Sequence, residues 1–298
     1  MASAICAGLF PLMAPISVGS SEDFSTRSFF GVHKIQITQD GQYRNLAHGT
    51  TLHGSMRIKD PAGAPLPFRP EPLTYYYKTG PLADALRAVQ ANSLGAARDL
   101  AVVGLGSGSM VCHGRPQDSW TYFEIDPSVV KIAQNPEYFR FLSACAPETR
   151  MVIGDARLTL ARETKPFDLI MIDAFASDAI PVHLLTRQAV AMYLTKLTTE
   201  GLLVMHISNR HLELESVAAA IAADLGLEGV AKLDRVTEEE ILKAGKAGSR
   251  AVVLSRSKKA LEPLNSAAGW KPLKHIGTTA WTDDYSNIVG AMWRSHTD

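Results

Sequence analysis

The sequence predicts an α/β fold, a mostly parallel sheet covered on both faces with a small β module ahead of it. Three observations carry this. From Pro81 onward, short apolar runs alternate with amphipathic stretches of helical period, as in chains whose strands are buried by helices on both sides. Before that, Phe29 to Met56 alternates in strand fashion around Asp40-Gly41, a hairpin signal. Between the two lies a connector with Pro61, Pro65, Pro67, Pro70 and Pro72, too broken for regular structure.

The elements follow in order. Residues 1–24 form an apolar leader, residues 25–77 the β module with its Pro-rich linker, and residues 78–298 the main domain. In the module, Val32, Ile35 and Ile37 precede the Asp40-Gly41 turn, and Tyr43 to Leu46 and Thr50 to Leu52 follow it. Pro81 opens a helix through Leu82, Leu86 and Val89. Strands are expected at Leu100–Val103, Trp120–Ile125, Met151–Ile153, Phe167–Ile172 and Leu202–Ile207. Helices are expected from Pro127, after Asp155, near Leu184 to Leu197, and about Leu214 to Leu225. In such sheets ligands bind at the carboxyl ends of the strands, where the chemistry is to be sought.

Composition narrows the function. Thirty basic and thirty acidic side chains cancel over 298 residues, so no global field favours nucleic acid. Cys6, Cys112 and Cys145 lie far apart without a C-x-x-C pair. This spacing excludes a disulfide framework and a thiolate zinc site, and it fits a reducing compartment. No Cys/His cluster has metal-ligand spacing, so no metal is expected; His206 and His211 read as ordinary loop histidines. Met1 to Ser21 carries no charge and lacks the basic start of a signal peptide. A disordered or packed leader, a weak membrane anchor and the tail of a transmembrane region remain open readings of it.

The strongest motif is Gly104-x-Gly106-x-Gly108 directly after a buried strand. Glycines let a backbone turn sharply and approach a ligand without Cβ clashes. Glu124 ends the next strand at the distance from which a carboxylate takes the ribose hydroxyls of a nucleotide. A dinucleotide fingerprint would have its third glycine at position 109, where Ser109 stands. The loop is therefore nearer to an S-adenosylmethionine pattern, with Gly104, Gly106, Ser107, Gly108, Glu124 and Ile125 as candidate cofactor-binding residues. Asp155 and Ala156 follow the third strand and Asp173 the fourth. Each Asp alone could be a helix cap, but the series places polar groups along one sheet edge.

Together, Phe123 to Pro127, the Gly154-Asp155-Ala156-Arg157 turn and the run from Ile172 to Pro181 resemble the spermidine synthase (polyamine aminopropyltransferase) family. They are most similar to the branch fused behind membrane helices, as are His206 to Arg210 and Arg44 to Gly54. The resemblance implies a class I methyltransferase-like (Rossmann-like) seven-stranded sheet with an N-terminal β module. It implies that Glu124 holds the donor's ribose, Asp155 accepts from the adenine amino group, and Asp173 removes a proton from the acceptor amine. Asp178 is similar to the family's second acid, with the spacing stretched by two residues. Tyr75, Tyr76, Asp284 and Tyr285 are candidate walls for a cationic substrate. Two departures stand out: Ser107 replaces the aspartate of Gly-Gly-Gly-Asp-Gly, and Tyr75-Tyr76-Tyr77-Lys78 replaces a Tyr-Gln pair.

The expected function is aminopropyl transfer from decarboxylated S-adenosylmethionine to a polyamine such as putrescine. The alternative is an enzyme of the same fold using intact S-adenosylmethionine for methyl or aminocarboxypropyl transfer, or for donor cleavage. The expected partners are a small polyamine, a second copy of the chain in a homodimer and, through residues 1–24, a membrane. The expected location is the cytoplasm, including the inner membrane face.

Overall fold

The computed structural model describes residues 21–49, 51–60, 62–66, 68–93, 95–174, 181–209 and 211–295. Four strands, β1 (Ser21–Ser28), β2 (Gly31–Ile37), β3 (Tyr43–His48) and β4 (Thr51–Arg57), pair antiparallel in chain order. The β2–β3 turn falls where Asp40-Gly41 predicts it. Gly41 takes φ 68°, and the Asp40 carboxylate accepts from Thr38 Oγ1 at 2.6 Å and the Gln42 amide at 3.0 Å. β1 begins at Ser21, inside the stretch assigned to the leader; Met1 to Ser20 lies outside the described residues.

The second part runs through α1 (Pro81–Ala91), β5 (Asp99–Val103), β6 (Ser119–Glu124), α2 (Pro127–Gln134), α3 (Phe141–Cys145), β7 (Arg150–Ile153), α4 (Ala156–Ala161) and β8 (Phe167–Ile172). It continues through α5 (Arg187–Thr195), β9 (Leu197–His206), α6 (Glu215–Asp224), β10 (Glu228–Asp234), α7 (Glu238–Ala244), β11 (Ser249–Ser255), α8 (Glu262–Asn265), β12 (Lys271–Pro272) and α9 (Ile288–Ser295). The strands form one sheet in the order β12-β10-β11-β9-β8-β5-β6-β7. Neighbours from β9 to β7 run parallel, whereas β11 is antiparallel to β9 and β10 to β11. Apart from the two-residue edge strand β12, this is the predicted seven-stranded sheet.

The apolar runs are buried on both faces because successive side chains point oppositely. Leu100 and Val102, with Leu169, Met171, Leu202 and Val204, pack towards α1 and α2. Ala101 and Val103, with Ile170, Ile172, Leu203 and Met205, pack towards α5 and α6. The β module joins the first of these cores through Ile35, Leu46 and Met56.

The cysteine expectation is overturned. Cys112 and Cys145 form a disulfide, Cα to Cα 5.0 Å, across a separation of 33 residues. It links the short 3-10 turn after the glycine loop (Ser109–His113) to α3, elements that pack together although the sequence keeps them apart. Disulfides persist in oxidising compartments, so the cysteines no longer argue for a reducing one. Among the described residues no helix is long and apolar enough to cross a membrane.

Candidate active site

The carboxyl ends of β5, β6, β7 and β8 deliver the glycine loop, Glu124, Gly154-Asp155 and Asp173 to one edge of the sheet. Together with Phe30, His33, Leu46, His48 and His53 of the β module, they line a cavity of about 290 Å³. Its wall includes Gly104, Leu105, Gly106, Glu124, Ile125, Asp155, Ala156 and Asp173, most of the residues predicted to bind the nucleoside.

Glu124 is buried, and its two oxygens accept the backbone N–H groups of Leu105 and Asp126, both at 2.9 Å. Burial raises its carboxyl above the ordinary value, against the pull of those backbone donors. Since a carboxylate offers about four lone-pair sites, the two bonds leave acceptor capacity for a pair of ribose hydroxyls. Ile125 beside it is 43% exposed, an apolar surface suited to a base. Asp155 caps α4 by accepting from the Leu158 N–H at 3.2 Å and faces His183 Nε2 at 3.2 Å. It is thus both the helix cap and a lining residue. These groups fit the nucleoside half of a sulfonium donor.

Asp173 ends β8 with its carboxylate buried. One oxygen accepts from the Tyr76 hydroxyl, and the other lies 2.6 Å from Nδ1 of His206. Tyr75 stacks on the His206 ring with centroids 4.6 Å apart. Burial, then the negative charge of Asp173, raises both tyrosine hydroxyls well above their ordinary value. Neither tyrosine lines the cavity. Both lie behind it, against Asp173 and His206.

Other predicted residues lie away from this cavity. Ser107 and Gly108 do not line the cavity. Ser107 is buried against β4, where a Cβ on Gly54 would lie 2.1 Å from its Oγ. Its side chain therefore turns towards β4 of the β module. Gly108 turns the chain into the Ser109–His113 segment with φ 77°. Asp284 and Tyr285 are exposed in a turn closed by bonds between Thr282 and Tyr285, and they do not line the cavity. Their neighbour Asp283 is held by Arg157 and Thr186, which lower its carboxyl to about 2. Asp178 lies outside the described residues.

The glycines of the loop answer to the protein's own packing. A Cβ on Gly104 would lie 2.1 Å from the Asp173 carbonyl oxygen, and one on Gly106 would lie 2.5 Å from that of His53. Both residues also have positive φ, 91° and 53°. The loop is thus where Asp173 and the β module close on the sheet.

The histidines of the site were not foreseen. His33, His48 and His53 stand in a row, ring centroids 4.8 and 5.7 Å apart. His33 Nε2 lies 2.7 Å from Asp126, which also accepts from the Ser28 hydroxyl and caps α2. Burial, then His48, lowers His53 to about 4, so that ring is neutral at physiological pH. His206, read as a loop residue, ends β9. The available signal was its place at a fifth strand end, beside the four already read as functional. Among the described residues no group of three or more His, Cys, Asp or Glu is arranged to hold a metal ion.

Together the fold and this edge, an α/β sheet with an added β module, have the architecture that the resemblance in the motifs implies. No model of a known protein family matches the chain. The polyamine aminopropyltransferase of Vibrio vulnificus is 34% identical over 109 residues, 35% of this chain and 35% of that protein. The matched stretch thus spans about a third of the curated relative's length. The fold is shared over almost the whole chain with a probable spermidine synthase from Corynebacterium glutamicum. That structure has a TM-score of 0.63 at 15% identity, over 89% of this chain and 97% of the other. The spermidine synthase of Thermotoga maritima gives a TM-score of 0.56 at 14% identity, over 91% and 84%. A spermidine synthase in complex with the transition-state analogue AdoDATO gives 0.55 at 14%, over 91% and 83%.

Proposed function

We propose that the protein is an aminopropyltransferase that moves the aminopropyl group of decarboxylated S-adenosylmethionine to a polyamine such as putrescine. The observation that carries this reading is Asp173, a buried carboxylate on the cavity wall, which shares that wall with the Glu124 carboxylate. An ammonium has no lone pair and must lose a proton before it can attack. In this reading Asp173 accepts that proton. The amine nitrogen bonds to the propyl carbon next to the sulfonium, the carbon–sulfur bond breaks, and its electron pair leaves with the sulfur as neutral methylthioadenosine. Glu124 holds the ribose, and Ile125 and Ala156 flank the base. The polyamine aminopropyltransferase match supports the transfer chemistry, and the family resemblance supports a homodimer as part of the same proposal.

The test incubates the protein with putrescine and decarboxylated or intact S-adenosylmethionine and follows spermidine and methylthioadenosine by mass spectrometry. Spermidine is expected from the decarboxylated donor. Asp173→Asn keeps the shape without a basic oxygen pair, so turnover should drop by roughly 10²–10⁴ while methylthioadenosine binding survives. Near-wild-type turnover of that variant at saturating amine would remove Asp173 as the base. Absence of spermidine with the wild-type protein would reject the reading.

A further inference from the structure

The proposed transfer leaves unused a buried imidazole in direct contact with Asp173. Resting on that reading, we propose that His206 is the positioning residue for Asp173, its tautomer set by Ser208 and the backbone of β11.

The polarity of the contacts fixes the arrangement. A carboxylate can only accept. On one oxygen of Asp173 the Tyr76 hydroxyl donates. On the other, Nδ1 of His206 at 2.6 Å must carry a proton, because a bare ring nitrogen there would set two acceptors against each other. In a neutral imidazole the second nitrogen then accepts. The group facing Nε2 is the Ser208 hydroxyl at 2.7 Å, which itself accepts the backbone N–H of Arg250 at 2.8 Å. That amide takes one lone pair of the hydroxyl oxygen and leaves its proton for the imidazole, whose Nε2 is an acceptor once Nδ1 carries the ring proton. Donation thus runs one way: Arg250 N–H to Ser208, Ser208 O–H to His206, His206 N–H to Asp173. Hydrogen bonds aligned in this sense polarise one another.

The chain is anchored in the sheet. Arg250 belongs to β11 and His206 to β9, and the next residue of β11, Ala251, is directly paired with His206. The Tyr75 ring lies nearly parallel to the imidazole, with 29° between planes, and bars its rotation. With Tyr76 and His206 on opposite oxygens, the plane of the carboxylate is held while its remaining lone pairs serve the incoming amine. A carboxylate that could turn would lose the near-attack geometry on which an amine nucleophile depends.

Two substitutions separate positioning from bulk. His206→Asn presents an N–H near the place of Nδ1–H, whereas His206→Leu keeps only volume. We expect the Leu variant to lose about 100-fold or more in kcat with little change in methylthioadenosine affinity, and the Asn variant to return to within about tenfold of wild type. A folded Leu variant within about threefold of wild type would overturn the proposal. So would an Asn variant as slow as the Leu variant, since the imidazole would then be needed for its own proton transfer. Independently of turnover, NMR of protein with isotope-labelled histidine should find the proton of His206 on Nδ1; a proton on Nε2 alone would overturn the arrangement. Should the wild-type protein transfer no aminopropyl group, the functional reading falls, and the tautomer still decides the hydrogen-bond chain.

Discussion

Glu124→Gln tests the nucleoside end of the site with one atom exchanged. Both oxygens of Glu124 already accept backbone N–H groups at 2.9 Å. An amide keeps one acceptor and turns an NH₂ towards either Leu105 or Asp126, so one buried N–H loses its partner, at a cost of about 1–3 kcal/mol. A second effect has the opposite sign. The folded Glu124 carboxyl lies above its ordinary value of 4.5, so its contribution to stability is fully present below the unfolded value and is lost as pH rises through the folded one. At neutral pH the buried charge therefore opposes folding, and the amide relieves it. The two effects offset each other, and the melting temperature should move by no more than a few degrees. Binding has no such compensation. A charge-assisted bond to ribose hydroxyls contributes about 1.5–3 kcal/mol, so methylthioadenosine affinity should drop by roughly 10- to 150-fold in calorimetry. The wild-type affinity should also weaken with acid from above pH 4.5, as Glu124 takes up its proton, and the variant should lack that dependence. Unchanged affinity in a variant folded by circular dichroism would remove Glu124 from the site.

Gly104→Ala should destabilise by about 1–3 kcal/mol through its positive φ alone, and more through the overlap with the Asp173 carbonyl; a wild-type urea midpoint would contradict that packing. Cys112→Ser should cost about 2–4 kcal/mol in denaturant unfolding under non-reducing conditions, and equal stability would mean that the Cys112–Cys145 bond is not formed. Ser107→Asp, which the motif alone would expect to favour the decarboxylated donor, should instead destabilise the fold, because it forces a larger charged group against Gly54. A stable variant with a donor preference shifted by more than about tenfold would show that position 107 faces the donor after all.

What the sequence disclosed, and what it withheld, divides along the range of the interactions. Leu100–Val103 and Leu169–Ile172 are apolar throughout because helices cover both faces, so those strands and the polar groups at their ends are legible locally. β10 and β11 went unread: they close the sheet antiparallel, and the charged residues inside them, Lys232 and Arg250, interrupt the apolar run by which the parallel strands are recognised. Tyr76 meets Asp173 across 97 residues and His206 meets it across 33. Neither spacing has a motif, since a sheet edge gathers residues by strand order. The disulfide escaped for the same reason: C-x-x-C rules speak of neighbours along the chain, whereas Cys112 and Cys145 are neighbours only after α3 packs on the turn that follows the glycine loop.

Ser107 shows another limit of the motif: its position in the loop is legible, and the direction of its side chain is not. Transferring a role from a motif assumes that the side chain points as it does in relatives, and here that direction is set outside the motif, by Gly54 on β4. With no side chain at 54, the space beside the loop takes the Ser107 hydroxyl, and the cavity wall on that side is left to the β module. That wall carries His33, His48 and His53, and burial lowers both His48 and His53. A neutral imidazole neither repels a donor carboxylate nor pairs with an ammonium as a carboxylate does. Under the proposed transfer, discrimination between the two donors would therefore have no acidic group at position 107 to rest on, and the rings of the β module are the first place to look for it.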